Sequence, residues 1–271
     1  MINISYAIYD PKDKYSKITG TSMLSLLENT KEDITFHLLH DNTLLQKNKN
    51  KFKIMIEKYN RKIYFYNMDD MNIINMDYIK KLGESIKFSP ATFYRLNIAN
   101  ILPDNINKVI YLDSDTIINL DINDLWKIDI FENEIAAVTD FEMNNHKQRL
   151  PIILMGKCSS NDYFNAGVMV MNLKKIREYH PNLFNECIEI IKNNPQFKLY
   201  DQDALNYKFA KKFYHLPPYF NVSIYKELIK NNFCNSIYHY LRSLSNLNKG
   251  KFVQLYRKYY KKTPWYNFNN Y

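Results

Sequence analysis

The segment Tyr111-Leu-Asp-Ser-Asp-Thr-Ile117 holds two carboxylates, Asp113 and Asp115, two positions apart and directly behind an apolar run. At a strand end both can reach one hard divalent cation, which oxygen ligands suit. Such a cation neutralises a diphosphate and stabilises it as a leaving group. A rival chemistry is phosphoryl transfer on Asp113, as in phosphatases that carry D-x-D-x-T/V at a strand end. Here Thr116 stands one place early and the strand is the fourth rather than the first.

Three further groups carry chemistry. Tyr163-Phe-Asn-Ala-Gly-Val168 offers the Asn165 amide, with Gly167 permitting close backbone approach. Tyr200-Asp-Gln-Asp-Ala-Leu205 gathers Asp201, Gln202 and Asp203 at a helix start, where N-capping accounts for one carboxylate but not for all three groups. Tyr238-His239-Tyr240 supplies an imidazole that, brought near Asp113 and Asp115, completes an oxygen and nitrogen site suited to manganese.

The elements that must position these groups follow from periodicity. Strands are expected over 2–9, 34–39, 63–66, 108–112, 135–139, 167–172 and 237–240. Helices are expected over 21–29, 44–59, 90–102, 181–193 and 202–210, with Ser89-Pro90 and Asp201 as start signals. Strand and helix alternate, the pattern of an α/β domain with a mainly parallel sheet. Asp113 and Asp115 then sit where such sheets bind ligands, beyond the carboxyl end of a strand. The polar, poorly periodic stretch 143–160 reads as a mobile loop.

Composition excludes several classes. The 271 residues are 46% hydrophobic and 15% aromatic, against disorder. The five glycines never approach the G-x-G-x-x-G or Walker spacing. Cys158, Cys187 and Cys234 form neither a C-x-x-C pair nor a disulfide framework, which favours a reducing cytoplasm. The opening residues read as a strand rather than a signal peptide, and no apolar run approaches a membrane span. The net charge is +9, but seven basic residues lie in 241–271 with no acidic residue after Glu227. The first 240 residues therefore hold 30 basic against 28 acidic side chains, an even balance that argues against nucleic acid as a partner.

Taken together and in this order, the motifs resemble glycosyltransferase family 8, retaining enzymes of the GT-A fold that include bacterial lipopolysaccharide galactosyl- and glucosyltransferases. The resemblance covers roughly residues 1–240. Its matching segments include the strand ending at Asp10, Phe88-Ser-Pro-Ala-Thr-Phe-Tyr-Arg95, Tyr111 to Asp115, Asn123-Asp-Leu-Trp126, Phe164-Asn-Ala-Gly167 and Asp201-Gln-Asp203.

The resemblance implies a Rossmann-like nucleotide-diphospho-sugar transferase, with a mixed, mainly parallel sheet flanked by helices. It implies Mn²⁺, with Mg²⁺ as the alternative, held by Asp113, Asp115 and His239. Ala7, Tyr9 and Asp10 would line a uridine pocket, with Asp113 and Ser114 also on the donor. Arg95, Asn165, Ala166, Asp201 and Asp203 would hold the donor sugar, with Gln202 beneath the anomeric carbon. A neutral amide is a poor nucleophile, so Gln202 is expected to stabilise oxocarbenium-like charge during front-face attack by the acceptor. The implied reaction moves a hexose from UDP-glucose or UDP-galactose to a lipopolysaccharide, glycolipid or other cell-surface glycan.

Two segments depart from the family pattern. The first strand ends in Tyr9-Asp10, a shifted acidic register, and the family's Gly-x-x-Lys-Pro-Trp run after the histidine is absent. Ser245 occupies the lysine position, with Arg242 and Lys249 as nearby cations. A sugar-nucleotide-binding module with weakened catalysis stands as the non-enzymatic reading beside the Asp113 phosphatase. Thr263-Pro-Trp-Tyr266 resembles a later tail motif of some members.

Residues 241–271 are expected to form a basic helical tail after a catalytic domain over 1–240. At about 100° per residue, Phe252, Val253, Tyr256, Tyr259 and Tyr260 share one arc and Lys251, Arg257, Lys258, Lys261 and Lys262 the other. That face suits an anionic membrane surface, placing the protein on the inner face of the cytoplasmic membrane. The aromatic arc suits packing on the catalytic domain equally well.

Overall fold

The computed structural model describes residues 1–71, 73–86, 89–140, 151–159, 161–224, 235–240 and 251–267. In chain order the elements are β1 (Ile2–Ile8), α1 (Tyr15–Asn29), β2 (Ile34–His40), α2 (Gln46–Glu57), β3 (Lys62–Asn67), α3 (Met76–Ile86), α4 (Ala91–Tyr94), α5 (Ile98–Ile101), β4 (Lys108–Leu112), β5 (Thr116–Asn119) and α6 (Ile122–Trp126). There follow β6 (Ile135–Thr139), α7 (Pro151–Leu154), β7 (Phe164–Asn172), α8 (Leu173–Tyr179), α9 (Leu183–Lys192), α10 (Tyr200–Phe209), β8 (Tyr214–His215), β9 (Val222–Ser223), β10 (Ser236–His239) and α11 (Lys251–Tyr260). This is the expected mixed α/β fold.

The chain forms two compact units. The first comprises Met1–Asp69, Leu112–Ile128 and Tyr219–Tyr271. Its strands run β3-β2-β1, all parallel, with Ile4 opposite Phe36 and Phe36 opposite Ile63. All seven residues of β2 are buried, as expected of a parallel strand covered on both faces. A small second sheet, β5-β10-β9, pairs β10 antiparallel to β5 and parallel to β9.

The second unit comprises Asp70–Tyr111 and Asp129–Pro218. Its strand order is β4-β7-β6-β8, with β6 antiparallel to β7 and parallel to β8. Arg177 on α8 ties this unit's loops: its guanidinium donates to the carbonyls of Ala99, Leu102 and Ile106 at 2.7–3.0 Å. Those are carbonyls at and beyond the end of α5 that no helical turn could satisfy.

Several expectations are corrected. The helix expected over 21–29 begins at Tyr15, because the Asp10 carboxylate accepts from the amides of Lys14, Tyr15 and Ser16. A capping carboxylate five residues upstream carries no local sequence signature. The helix expected over 90–102 is broken: a 3₁₀ turn at Arg95–Asn97 separates α4 from α5. Ser89 does accept from the amide of Ala91, at 3.3 Å. The helix expected from Pro181 begins at Leu183. α3, α8 and β5 were not expected. Of the expected loop over 143–160, residues 143–150 and Ser160 lie outside the described residues, as do Phe88, Cys234, Arg242, Ser245 and Lys249. Pro151–Leu154 is helical.

Candidate active site

The metal-ligand candidates lie together in the first unit. Asp113 and Asp115 flank the turn that joins β4 to β5, closed by the amide and hydroxyl of Thr116 donating to the carbonyl of Asp113 at 3.2 and 2.8 Å. The β5–β10 register sets His239 opposite Thr116, and the amide of Tyr240 donates to the Asp115 carbonyl. His239 Nε2 consequently stands 3.2 Å from Asp115 Oδ1 and 3.6 Å from Asp113 Oδ2. One donor atom from each of the three residues lies within 4.8 Å of the others.

The donor set fits a divalent cation. His239 is only 3% exposed, and its Nδ1 lies 3.0 Å from Asn221 Oδ1. With that amide oxygen accepting, the proton belongs on Nδ1 and the Nε2 lone pair faces the two carboxylates. Asn221 precedes β9, whose Ser223 pairs with His239.

A row of hydroxyls on α1 holds this corner. Ser16, Thr19, Ser22 and Ser25 recur every third residue and are all buried, so each neighbours the next along a ridge that winds around the helix. Ser16 donates to Asp10. Thr19 shares its one proton between Ser114 Oγ at 2.8 Å and the Tyr15 carbonyl at 2.9 Å, and Ser114 donates to the Ala7 carbonyl at 3.2 Å. Each hydroxyl has one proton, which orders the next chain as Tyr6 to Ser22 to Thr116 to the Asp113 carbonyl. Burial raises the Tyr6 phenol far above its ordinary value, so it stays a donor. Ser25 Oγ accepts from the amide of Ile118.

Ala7 and Asp10 are buried at the carboxyl end of β1, and Tyr9 between them is half-buried. Asp10 caps α1, so its carboxylate is engaged by backbone amides, and the hydroxyl of Ser114 is engaged by Thr19 and Ala7.

The remaining candidates cluster in the second unit. Arg95 is buried, with Nε 3.1 Å from Asp201 Oδ2, one terminal nitrogen donating to the Ala166 carbonyl at 2.7 Å, and its guanidinium over the Tyr111 ring. Asp201 lies inside the first turn of α10 and does not cap it. That task falls to Asp203, whose Oδ2 accepts from the amides of Lys198 and Leu199 at 2.9 Å each. Its other oxygen accepts from the Tyr163 hydroxyl at 2.6 Å. Burial and the charge of Asp203 hold the Tyr163 phenol well above its ordinary range.

Gln202 has a fixed amide orientation. Its Oε1 accepts from the amide of Ala166 at 3.0 Å, and its Nε2 donates to Asp140 Oδ2 at 3.1 Å. Asn165 also donates to Asp140 Oδ2, at 3.2 Å, and accepts from the amide of Gly167. Buried Asp201 thus holds the guanidinium and buried Asp140 the two amides, while buried Asp203 is linked to Gln202 through the Tyr163 hydroxyl. Such a site favours positive charge developing on a bound ligand.

The sequence from residue 4 to residue 259 matches the family described as Glycosyl transferase family 8. This chain belongs to that family. A glycosyltransferase-type protein of Haemophilus influenzae is 32% identical over 206 residues, covering 73% of this chain and 57% of its own. The lipopolysaccharide 1,3-galactosyltransferase of Salmonella typhimurium is 27% identical over 191 residues, covering 69% of this chain and 54% of that protein. The chain thus spans little more than half the length of these two relatives. The crystal structure of the galactosyltransferase LgtC with donor and acceptor sugar analogues superposes with a TM-score of 0.75 at 20% identity, over 98% of both chains, and shows the same fold.

Within this family 8 chain, three site features carried no weight in the sequence expectations. Asp140 directly follows β6, and a carboxylate just past a strand end was a legible signal. The threefold spacing of Ser16, Thr19, Ser22 and Ser25 was legible too. Asn221 had no signal, since only the β9–β10 pairing brings it to His239.

Proposed function

We propose that this chain is a retaining hexosyltransferase that takes glucose or galactose from its UDP conjugate to a lipopolysaccharide or other cell-surface glycan acceptor. The convergence of His239 on Asp113 and Asp115, in a family 8 chain, carries the reading. Mn²⁺ is the favoured ion, because a borderline imidazole beside two hard carboxylates suits it better than Mg²⁺. When bound, the ion supplies charge neutralisation for the departing diphosphate.

The chain's own residues supply the rest. Asp113, Asp115 and His239 hold the ion, and the hydroxyl row of α1 fixes the turn that presents two of them. Ala7, Tyr9, Asp10 and Ser114 line the nucleotide side, where the engaged side chains leave backbone groups and the Tyr9 ring to meet the base and ribose. Arg95, Asn165, Ala166, Asp201 and Asp203 form the hexose side. Gln202, with its amide held by Ala166 and Asp140, contributes a partial negative charge beneath the anomeric carbon. The acceptor hydroxyl oxygen bonds the anomeric carbon on the face that the diphosphate leaves and passes its proton to the departing diphosphate, which retains configuration.

Residues 1–240 are proposed as the catalytic part and 241–271 as a tail with a second role. No helix among the described residues is long and apolar enough to cross a membrane. The exposed Arg257, Lys258 and Lys261 suit the anionic inner face of the cytoplasmic membrane. Cys158 and Cys187 are buried free thiols, which burial pushes up to about 11 and about 12. UDP release from a panel of UDP-sugars, with and without Mn²⁺ and with an oligosaccharide acceptor, tests the function. Turnover of UDP-glucose or UDP-galactose alone supports it, and phosphoester hydrolysis without sugar-nucleotide turnover opposes it. Flotation with phosphatidylglycerol vesicles, full chain against 1–248, tests the tail: equal binding removes the membrane role.

A further inference from the structure

The segment Thr263-Pro-Trp-Tyr266 ends the chain's last helix in the first unit. Thr263 closes α11, its amide and hydroxyl both donating to the Tyr260 carbonyl, and the Tyr260 hydroxyl donates back to the carbonyl of Trp265 at 3.3 Å. Tyr259 anchors the helix, accepting from Asn29 at 2.8 Å and donating to Asn119 at 3.2 Å. Trp265 is therefore presented from a fixed base.

Its indole packs against α1 at Gly20 through the six-membered ring. A Cβ there would fall 2.3 Å from the ring's Cζ3, so only glycine admits the contact. The ring also meets Phe52 of α2, with centroids 4.8 Å apart and the planes tilted by 58°. The indole N–H donates to Asn48 Oδ1 at 2.9 Å. Asn48 is 1% exposed, and its own N–H₂ donates to Asp13 Oδ1 at 2.6 Å, while Lys47 pairs with the other oxygen of Asp13. Indole, amide and carboxylate thus form one directed chain, in which the amide orientation is set at both ends.

Asp13 belongs to the turn that leaves β1. It holds a left-handed backbone, φ 54°, and its amide donates to the Asp10 carbonyl. That turn carries Tyr9 and Asp10. Beyond its own hydrogen bonds to α1, the turn is tied to Thr43 through the amide of Asp10, and to Lys47 and Asn48 through Asp13.

We infer that Trp265 is a positioning residue for donor binding: the tail's indole, through Asn48 and Asp13, holds the turn after β1 in the shape that receives the nucleotide. The inference rests on the proposed reading of Tyr9 and Asp10 as nucleotide-side residues. It gives the tail a role at the donor site separate from any membrane contact.

The test uses the full chain and Trp265→Phe, which keeps an aromatic ring on Gly20 and removes the N–H. Two readouts are taken: amide hydrogen exchange at Lys14, Tyr15 and Ser16, and UDP affinity by calorimetry with Mn²⁺. Loss of one hydrogen bond worth about 0.5–1.5 kcal/mol corresponds to about a 2- to 12-fold effect. Faster exchange at the three amides, with UDP affinity and the donor KM weakened by that factor and kcat unchanged, is expected. Wild-type exchange in the variant overturns the clamp. Faster exchange with wild-type UDP affinity overturns its role in donor binding. If the wild-type chain itself fails to bind UDP, the nucleotide reading falls and the donor role with it, whereas the exchange result still judges the clamp.

Discussion

His239 Nε2 and Asp115 Oδ1 stand 3.2 Å apart, although 124 positions separate them, because β10 pairs with β5 in a register that puts His239 opposite Thr116. A one-residue slip would turn the imidazole to the other face of the small sheet. The ring is then oriented by Asn221. Removing such an outer partner typically costs about 10- to 100-fold in metal affinity. Asn221→Ala is therefore expected to raise the Mn²⁺ dissociation constant by that factor, and His239→Ala by at least as much, both read by electron paramagnetic resonance of free Mn²⁺. Wild-type affinity in His239→Ala would remove the site.

Thr19→Val keeps shape and burial but deletes the hydroxyl that bonds Ser114 and the Tyr15 carbonyl. Leaving a buried polar partner short of a hydrogen bond costs about 1–3 kcal/mol. Chemical denaturation should show that loss, and Thr19→Ser should recover most of it. Equal loss in both variants would mean that packing rather than the hydroxyl matters at this position.

Gly20→Ala reverses an ordinary rule. Glycine inside a helix usually costs about 0.5–1 kcal/mol relative to alanine. Here the new methyl meets the Trp265 ring, so the substitution is expected to lower the melting temperature. In a Trp265→Ala background the same substitution should become neutral or stabilising. An identical effect in both backgrounds would separate Gly20 from the indole.

His37 is a buried imidazole on β2, within hydrogen-bond distance of Asn3 and Tyr66, and burial pushes its pKa down to about 4. Its folded value lies below the unfolded 6.5, so the fold prefers the neutral ring. The associated stability is complete above pH 6.5 and is lost as pH falls toward 4, of order 3 kcal/mol in all. His37→Gln should flatten the pH dependence of unfolding in that window. An imidazole signal titrating near 6.5 in the folded protein would contradict this.

The sequence made the strands legible because their apolar residues run together, as in residues 109–112 of β4. It made Asp113, Asp115, His239 and the Asp201 to Asp203 cluster legible because polar groups stood out at the ends of apolar runs. It did not reveal that Asp10 caps α1 or that Asp203, rather than Asp201, caps α10, since those bonds depend on backbone turns without a local pattern. Arg95 was foreseen near a helix start, but the 3₁₀ turn beneath it was not. The paired faces of α11 were legible from their periodicity, and Tyr259 and Val253 are indeed buried while Arg257, Lys258 and Lys261 are exposed.

The proposed front-face transfer is tested most directly by time-resolved proton NMR of the first-formed sugar product from UDP-galactose or UDP-glucose with Mn²⁺. The wild-type chain should form the α product from the α donor, and Gln202→Ala should form the same anomer slowly. A β product from either protein would contradict the account.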